Sequence, residues 1–289
     1  MSAKFPIVAV TGSSGAGTSS TRLLFAHLFD RLKVKAAFVD GDSFHRYDRE
    51  QMRAMLDRAR IRGENLSHFG PAANLWDRQE KLFREFGESG TGQARHYLHN
   101  EAESREHGQA VGTFTPWAPL PAGTEVLFYE GLHGGVVTEE HDIAKHVDLL
   151  IGMTPTVNLE WIQKIKRDTD DRQYDAEEVV RTILRRMPDY AHYIAPQFSR
   201  TDVNFQRVPL VDTSNPFTLQ LIPRAEESLL VIHLNEHGRI PIDFDELLGE
   251  LDGAYQSRKD TLVVQGEQMA RAMEKVLTPA LERLVQGRK

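Results

Sequence analysis

The feature that most constrains the fold is a glycine-rich loop close to the N-terminus, between an apolar run and a helical pattern. Residues 5–10 are apolar and rich in β-branched side chains, which predicts a buried strand ending at Thr11-Gly12. From residue 19 to residue 32, apolar side chains recur at helical spacing, including Leu24 and Leu28. The chain therefore opens with a strand, a glycine loop and a helix.

The spacing of this loop is that of a phosphate-binding loop, G-x-x-x-x-G-K-[ST], except that Thr18 occupies the lysine position. The glycines let successive backbone N–H groups point inward, so that they and the helix N-terminus cradle phosphate oxygens. Ser19 stands where a hydroxyl ligand to Mg²⁺ belongs. The predicted nucleotide-binding residues are Gly12, Ser13, Ser14, Gly15, Ala16, Gly17, Thr18 and Ser19. A plain turn, or a degenerate loop without catalysis, is the alternative that the missing lysine leaves open.

The rest of the chain alternates strand and helix patterns. Further strands are predicted at 36–39, 125–129, 147–153, 206–211 and 229–234, and further helices at 48–60, 75–86, 157–170, 176–193 and 267–285. This alternation predicts an α/β fold with a mostly parallel mixed sheet and helices on both faces. Residues 1–289 are expected to form one domain, in which the irregular, Gly- and His-rich stretch 87–123 is a lid-like insertion.

Composition excludes several classes of protein. The chain has no cysteine, so it has no disulfide, thiolate zinc site or cysteine nucleophile. A net charge of −7 does not favour nucleic acid or an anionic membrane as a partner. The apolar run at the N-terminus is too short for a signal sequence or a membrane span. We expect a soluble, cytoplasmic protein.

Two carboxylates follow predicted strands at the sheet edge where α/β folds place their ligands. Asp42 follows the second strand, and Glu130 follows the run Val126–Tyr129, a placement typical of an acid that holds Mg²⁺. A turn aspartate and a solvated strand end are the plainer interpretations. Because phosphoryl transfer needs both a metal ligand and a group that orients the acceptor, the two carboxylates together favour catalysis.

A third carboxylate, Asp168, shares one face of a predicted helix with Lys164 and Arg167. This spacing also suits an ordinary surface ion pair. The functional hypothesis is that Lys164 and Arg167 supply the positive charge that Thr18 cannot, since transferred phosphoryl oxygens must be neutralised.

Basic residues cluster immediately after Asp42, at His45, Arg46 and Arg49. Arginine forks suit phosphate, so this cluster favours an acceptor that itself carries a phosphate, although charge clusters are often solvated faces. Other candidates for acceptor binding are Arg172, Arg185, Arg186, Tyr97 and His99. The histidines of 87–123 show no metal-binding spacing.

Six segments resemble the proteobacterial phosphoribulokinases. They read VTGSSGAGTS, GDSFHRYDR, LFYEGLHGGVV, VNLEWIQKI-RD, PQFSRTD-NFQRVP and VDTSNPF, and the resemblance runs from the first strand to about residue 234, more weakly beyond. It implies a P-loop kinase that uses ATP and Mg²⁺ to phosphorylate the C1 hydroxyl of ribulose 5-phosphate. That family also has threonine where the loop pattern has lysine.

The resemblance implies a role for individual residues. Asp42 matches the base that takes the hydroxyl proton, Glu130 the acid of the metal site, and Asp168 a second essential carboxylate. Lys164 and Arg167 match active-site cations. The residues that match binding positions for the sugar phosphate are His45, Arg49 and Arg172.

The resemblance also implies assembly and regulation. Members are oligomers, often octamers built from dimers, and many are activated by NADH and inhibited by AMP. Arg31 matches an arginine linked to that regulation. His233 stands where NADH-regulated members carry arginine, and Arg258 matches another of their arginines only loosely.

Two other functions remain open at this level. A nucleoside or pantothenate kinase on the same fold would bind an acceptor without phosphate and would leave the His45, Arg49 and Arg172 cluster without a partner. A nucleotide-binding module without catalysis would not need carboxylates at Asp42, Glu130 and Asp168.

Overall fold

A central strand, β1 (Ile7–Gly12), is buried at all six positions, as expected for the apolar run before the glycine loop. A computed structural model describes residues 4–12, 18–170, 174–218, 221–235 and 239–287, with the side chains of 18–20 outside the description. The other strands are β2 (Ala36–Asp40), β3 (Gln93–Ala94), β4 (Ala118–Pro119), β5 (Val126–Gly131), β6 (Leu149–Thr154), β7 (Val203–Pro209), β8 (Ser228–Leu234), β9 (Tyr255–Arg258) and β10 (Thr261–Gln265). The helices are α1 (Thr18–Arg31), α2 (Arg49–Arg62), α3 (Trp76–Ser89), α4 (Glu101–His107), α5 (Val157–Asp170), α6 (Ala176–Asp189), α7 (Phe244–Glu250) and α8 (Met269–Gln286).

Eight strands form one mixed sheet in the order β2-β5-β1-β6-β7-β8-β10-β9. The five strands from β2 to β7 are parallel, while β8, β10 and β9 are antiparallel to their neighbours. The fold is therefore α/β with a mostly parallel sheet, as the sequence predicted. β1 ends between β5 and β6, and β2 lies on the far side of β5.

The parallel strands are apolar on both faces because helices cover both. On one face, Val8 and Phe128 pack with Phe25 of α1 and with α8. On the other face, Ile7 and Leu127 pack with the aromatic side chains of α3. Alternate residues of one strand thus enter two separate cores, which fixes the register of β1 against β5.

Element positions follow the sequence prediction for most of the chain, and the differences have local causes. The stretch 87–123 is not irregular throughout, because it contains β3, α4 and β4. No residue of α4 is buried, so an apolar period could not reveal this helix. The Asn100 side chain caps the N-terminus of α4 by accepting hydrogen bonds from the backbone amides of Ala102 and Glu103.

Three further elements near the C-terminus were not predicted, namely α7, β9 and β10. All four residues of β9 are exposed, so β9 shows no alternation of apolar and polar side chains. The predicted helix 176–193 ends as α6 at Asp189 and continues as a π-helical turn, Tyr190–Ile194. Within the described ranges, no helix has the length and apolar character that a membrane span requires.

Candidate active site

The described residues on either side of the glycine loop end a strand and begin a helix. Gly12 is the last residue of β1, and Thr18 and Ser19 are the first two residues of α1. Ser13, Ser14, Gly15, Ala16 and Gly17 lie outside the described residues. A helix that begins after a strand and a glycine loop has free backbone N–H groups at its N-terminus, and such groups commonly bind phosphate.

A buried glutamine ties the end of β1 to the loop that follows β5. The Gln197 Oε1 atom accepts hydrogen bonds from the Thr11 hydroxyl and from the Gly135 amide, each at 2.8 Å. The Gln197 Nε2 atom donates to the Leu132 carbonyl at 2.8 Å. Gln197 lies 186 residues after Thr11, and no motif in the sequence pointed to this contact.

Glu130 and Asp40 lie opposite each other at the carboxyl edge of the sheet. Glu130 of β5 pairs with Val10 of β1 on one side and with Asp40 of β2 on the other. Beyond them, Gly41 and Gly131 approach closely, and a Cβ atom on Gly131 would lie 2.7 Å from the Gly41 Cα. This close approach brings the turn after β2 against the end of β5, because neither position has room for a side chain.

Asp42 lies in a short 3₁₀ turn, Gly41–Phe44, directly after β2. The Asp40 carboxylate begins the turn by accepting the Asp42 amide at 2.9 Å. The Asp42 carboxylate is about one-third exposed, so a substrate hydroxyl could reach it. Asp40 was not among the predicted site residues, although it is the last residue of the strand that precedes Asp42.

Two histidines flank the Asp42 carboxylate. The Nε2 atom of His45 lies 3.4 Å from one Asp42 oxygen, and that of His99 lies 3.7 Å from the other. His99 also lies 3.5 Å from Asp40, and this hydrogen bond raises the pKa of His99. Burial disfavours the charged form of Asp40, but bonding to His99 and to the Asp42 amide outweighs it and lowers the pKa of Asp40. Asp40 is thus held as an anion, and its contact favours the protonated form of His99.

His45 has a different electrostatic character from His99. Burial lowers the pKa of His45, although Asp42 and Asp40 partly oppose this shift. Its ring packs on His68, with centroids 4.1 Å apart, and burial lowers the pKa of His68 strongly. His45 is therefore a neutral hydrogen-bonding group near pH 7. His68 was missed because it belongs to no motif.

Lys164, Arg167 and Asp168 form a compact ionic group on α5. Asp168 is 3% exposed and accepts hydrogen bonds from the Lys164 ammonium and, at 3.1 Å, from the Nε and Nη2 atoms of Arg167. The i,i+4 pair is therefore enclosed rather than an ordinary surface pair. Burial, together with the nearby charge of Arg186, lowers the pKa of Lys164 to about 8 despite its contact with Asp168.

Arg185 and Arg186 of α6 add positive charge near this group. The Arg185 guanidinium donates to the Leu66 carbonyl, and that of Arg186 lies over the Phe69 ring, 5.4 Å from its centroid. Burial and the charge of Arg185 lower the pKa of Arg186 to about 10. The charge of Arg186 adds to the effect of burial in lowering the pKa of both His45 and Lys164.

The remaining candidates fall into three groups. Tyr97 packs edge-on against His99, with centroids 4.9 Å apart, and the Arg49 backbone amide donates to Gly112 at 2.8 Å. Arg172 lies outside the described residues. Arg31 ends α1 at a separate groove, where its guanidinium pairs with Glu274 and donates to Thr278 at 2.8 Å.

The residues present fit a nucleotide with Mg²⁺. Across the described ranges, no group of three or more His, Asp or Glu residues could hold a metal ion alone. Mg²⁺ is commonly held by one or two carboxylates together with substrate phosphates and water. Glu130, beside the end of β1, could provide such a carboxylate, and Ser19 lies in the first turn of α1 on the other side of the loop.

A glycine loop between a central parallel strand and a helix, with carboxylates at the same sheet edge, is typical of P-loop enzymes that bind nucleotides. The sequence model of the Phosphoribulokinase / Uridine kinase family matches residues 7–214. The chain belongs to the phosphoribulokinase / uridine kinase family, and it is accordingly an enzyme of the kinase class that uses ATP with Mg²⁺.

Relatives match along the whole chain. A probable phosphoribulokinase from Escherichia coli (strain K12) is 54% identical over 100% of this chain and 99% of its own length. The chromosomal phosphoribulokinase of Cupriavidus necator is 53% identical with the same coverage. The solved structure of phosphoribulokinase from Rhodobacter spheroides superposes with a TM-score of 0.90 at 47% identity and covers 99% of both chains.

Proposed function

We propose that this protein transfers the γ-phosphoryl group of ATP to the C1 hydroxyl of D-ribulose 5-phosphate, giving ribulose 1,5-bisphosphate and ADP. The observation that carries the proposal is the placement of Asp42. A partly exposed carboxylate stands at the edge of a P-loop sheet between two histidines, and the same fold holds the enclosed group of Lys164, Arg167 and Asp168 on α5. The names of full-length relatives supply the substrate.

The proposed reaction assigns the proton to Asp42. The carboxylate accepts the proton of the C1 hydroxyl as the bond from that oxygen to the γ-phosphorus forms, and the bond from the γ-phosphorus to the bridging oxygen of ADP breaks. ATP with bound Mg²⁺ supplies the phosphoryl group and part of its charge neutralisation. Ser19 and Glu130 would hold the metal ion, and the loop from Gly12 to Ser19 would hold the phosphates.

Lys164 and Arg167 take the role of the absent loop lysine in this proposal. Asp168 bonds both cations, so it sets their direction while leaving the group with a net positive charge. Arg186 adds a further charge nearby. A preorganised cationic group stabilises the charge that spreads over the equatorial oxygens during transfer.

The phosphate of the sugar would bind among the basic residues near the turn. His45, Arg49 and Arg172 are the principal candidates, with Tyr97, His99, Arg185 and Arg186 around them. Arg49 begins α2, and its side chain packs against Gly112 of the segment 87–123. We propose that this segment closes one side of the site as a lid-like part of a single domain, residues 1–289.

Assembly, location and regulation are proposed on the resemblance described above. The protein would act in the cytoplasm as a homo-oligomer built from dimers, up to an octamer, with NADH or AMP as effectors acting near Arg31. Because Arg31 pairs with Glu274, an anionic effector would have to displace that carboxylate. Initial rates with and without NADH or AMP, together with mass measurement in solution, test these points.

A substrate panel tests the central proposal. ADP release would be followed with ribulose 5-phosphate, other pentose phosphates, free pentoses, nucleosides and pantothenate as acceptors. We expect turnover with ribulose 5-phosphate and a C1-phosphorylated product by NMR. Preference for an acceptor without phosphate would overturn the assignment, and tight ATP binding without transfer to any acceptor would indicate a non-catalytic module.

Arg49 provides the variant for this panel. Arg49→Ala should raise the KM for ribulose 5-phosphate by roughly 10-fold or more, because a charge-assisted phosphate contact contributes about 1.5–3 kcal/mol. The KM for ATP should change little. Arg60→Ala is the matched control, since Arg60 belongs to the same helix and its side chain is 82% exposed. Equal KM values in the two variants would remove Arg49 from the acceptor site.

A further inference from the structure

Arg95 connects the segment 87–123 to the turn that carries Asp42. It directly follows β3, and its guanidinium reaches the carboxyl end of that turn. The Nε atom donates to the Ser43 carbonyl at 2.9 Å, and the Nη2 atom donates to the His45 carbonyl at 2.6 Å. One side chain therefore binds two carbonyl groups that flank Phe44.

Of the four backbone carbonyls of residues 42–45, two accept hydrogen bonds from backbone amides and two accept hydrogen bonds from the Arg95 side chain. The Asp42 carbonyl accepts the His45 amide at 3.1 Å, and the Phe44 carbonyl accepts the Leu75 amide at 2.8 Å. Arg95 binds the other two. Carbonyls at the end of a helical turn lack partners within the turn, so without Arg95 two acceptors in a largely buried segment would need new donors.

The guanidinium is itself held in place by aromatic rings. Its central carbon lies 3.6 Å from the centroid of Phe114 and 4.8 Å from that of Trp117. Burial and the charge of Arg78 lower the pKa of Arg95 to about 10, so the group remains charged near pH 7. A planar cation stacked on aromatic faces has little freedom to turn, which suits it to hold a fixed direction.

The same segment contacts the turn from its other side. His99 lies within 3.7 Å of Asp42 and 3.5 Å of Asp40, and Gly112 accepts the amide of Arg49 at the start of α2. Arg95 thus binds the backbone carbonyls of the Asp42 turn, whereas His99 lies beside the carboxylates of Asp40 and Asp42. Arg95 therefore contacts only the backbone of this turn and does not touch the carboxylate that we propose to react.

We infer that Arg95 is a positioning residue, which sets the direction of the Asp42 carboxylate by binding the Ser43 and His45 carbonyls. The inference rests on the proposed function, in which Asp42 takes the hydroxyl proton. A charge-assisted fork is stronger than neutral hydrogen bonds and specifies direction. A displacement of about 1 Å in a reacting group can lower the rate by roughly 10²-fold.

A double-mutant cycle between Arg95 and Asp42 tests the inference. The proteins are the wild type, Arg95→Ala, Asp42→Asn and the double variant, assayed with ribulose 5-phosphate and radiolabelled ATP. Arg95→Ala should lower kcat by roughly 10–10²-fold with an unchanged KM for ATP. In the Asp42→Asn background the same change should lower kcat by less than ~3-fold, because an effect exerted through Asp42 is then already lost.

Arg78→Ala is the matched control. Arg78 also lies over Trp117, at 5.5 Å, but its side chain is exposed. Its removal should leave kcat within about twofold of the wild type, as for most surface substitutions. Arg95→Lys keeps the charge without the fork, so it should recover only part of the loss.

The outcomes separate this inference from the proposed function. Unchanged kcat in Arg95→Ala, or equal fold losses in both backgrounds, would overturn the positioning role while the wild type still phosphorylates ribulose 5-phosphate. Absence of turnover in the wild type and in Arg78→Ala would overturn the proposed function instead. If circular dichroism shows that Arg95→Ala does not fold, Arg95→Lys replaces it in the cycle. The loss of kcat caused by Arg95→Lys must then disappear in the Asp42→Asn background.

Discussion

The two charged groups of the site are built in opposite ways. On the acceptor side, the Asp42 turn is held by residues distant in sequence, namely His99 and Arg95. On the cation side, Lys164, Arg167 and Asp168 bind one another within a single turn of α5. The first group is assembled by tertiary contacts, whereas the second is organised by helix geometry alone.

The two groups also differ in exposure and in charge. The Asp42 side chain is 34% exposed, whereas that of Asp168 is 4% exposed. A base must meet its substrate, so it has to remain accessible and to be aimed by its surroundings. A group that stabilises charge works better when water is excluded, because its field is then less screened. The difference therefore fits the separate tasks that we propose for the two groups.

The largest expected effect comes from removing the base. Asp42→Asn should lower kcat by roughly 10²–10⁴-fold, since general base catalysis contributes about that much, with little change in the KM for ATP. Steady-state kinetics measures this. Asp57→Asn, on an exposed position of α2, is the control and should retain wild-type turnover. Near-normal turnover of Asp42→Asn would break the comparison, because the exposed carboxylate would then not be the base.

A smaller effect should distinguish two lysines of the same helix. Lys164→Ala should lower kcat by roughly 10²-fold or more, as expected for loss of a donor to developing charge. Lys166 pairs with Asp170 at the same spacing but at an exposed position, so Lys166→Ala should change kcat by less than about twofold. Equal losses of kcat in the two variants would show that the enclosed Lys164 pair matters no more for turnover than the exposed Lys166 pair.

The pH dependence sharpens this test. Lys164 has a pKa of about 8, so its charge is present below that pH and is lost above it. The wild-type kcat should therefore fall as the pH rises through about 8. Lys164→Arg keeps its charge at that pH and should lack this alkaline decline, even if its maximal kcat is lower. A decline that persists unchanged in Lys164→Arg would assign it to another group.

The smallest effect concerns stability on the acceptor side. Bonding to Asp40 raises the pKa of His99, so this contact stabilises the fold fully below the ordinary histidine pKa of 6.5 and loses its effect as the pH rises through the raised value. Without substrate, His99→Gln should lower Tm more at pH 6 than at pH 9. The expected loss is about 1 kcal/mol or less, because both side chains are partly exposed.

His107→Gln is the control for this measurement. His107 is exposed in the same segment and stacks on His96 instead of a carboxylate. Its Tm difference from the wild type should change less between pH 6 and pH 9 than that of His99→Gln does. A difference that is equal at both pH values in His99→Gln would show that the His99 contact does not depend on its charge.

The sequence predicted the elements whose signal is local or strongly periodic. The sheet core and α5 have the positions expected, because buried strands and amphipathic helices require apolar residues at a fixed spacing. The glycine loop and the strand-end carboxylates follow from the same logic. Exposed elements such as α4 and β9 were missed, since nothing in their burial imposes a period.

By itself, the sequence determined the class of fold, the glycine loop and the ionic spacing on α5, because each depends on neighbours within a few residues. Only the tertiary structure decided what surrounds Asp42. Arg95 lies 50 residues from His45, and His99 lies 57 positions after Asp42, so no local pattern records their contacts. The direction of a catalytic group depends on side chains that meet only when the chain is folded, and the hydrogen bonds that set it are therefore a property of the packed molecule.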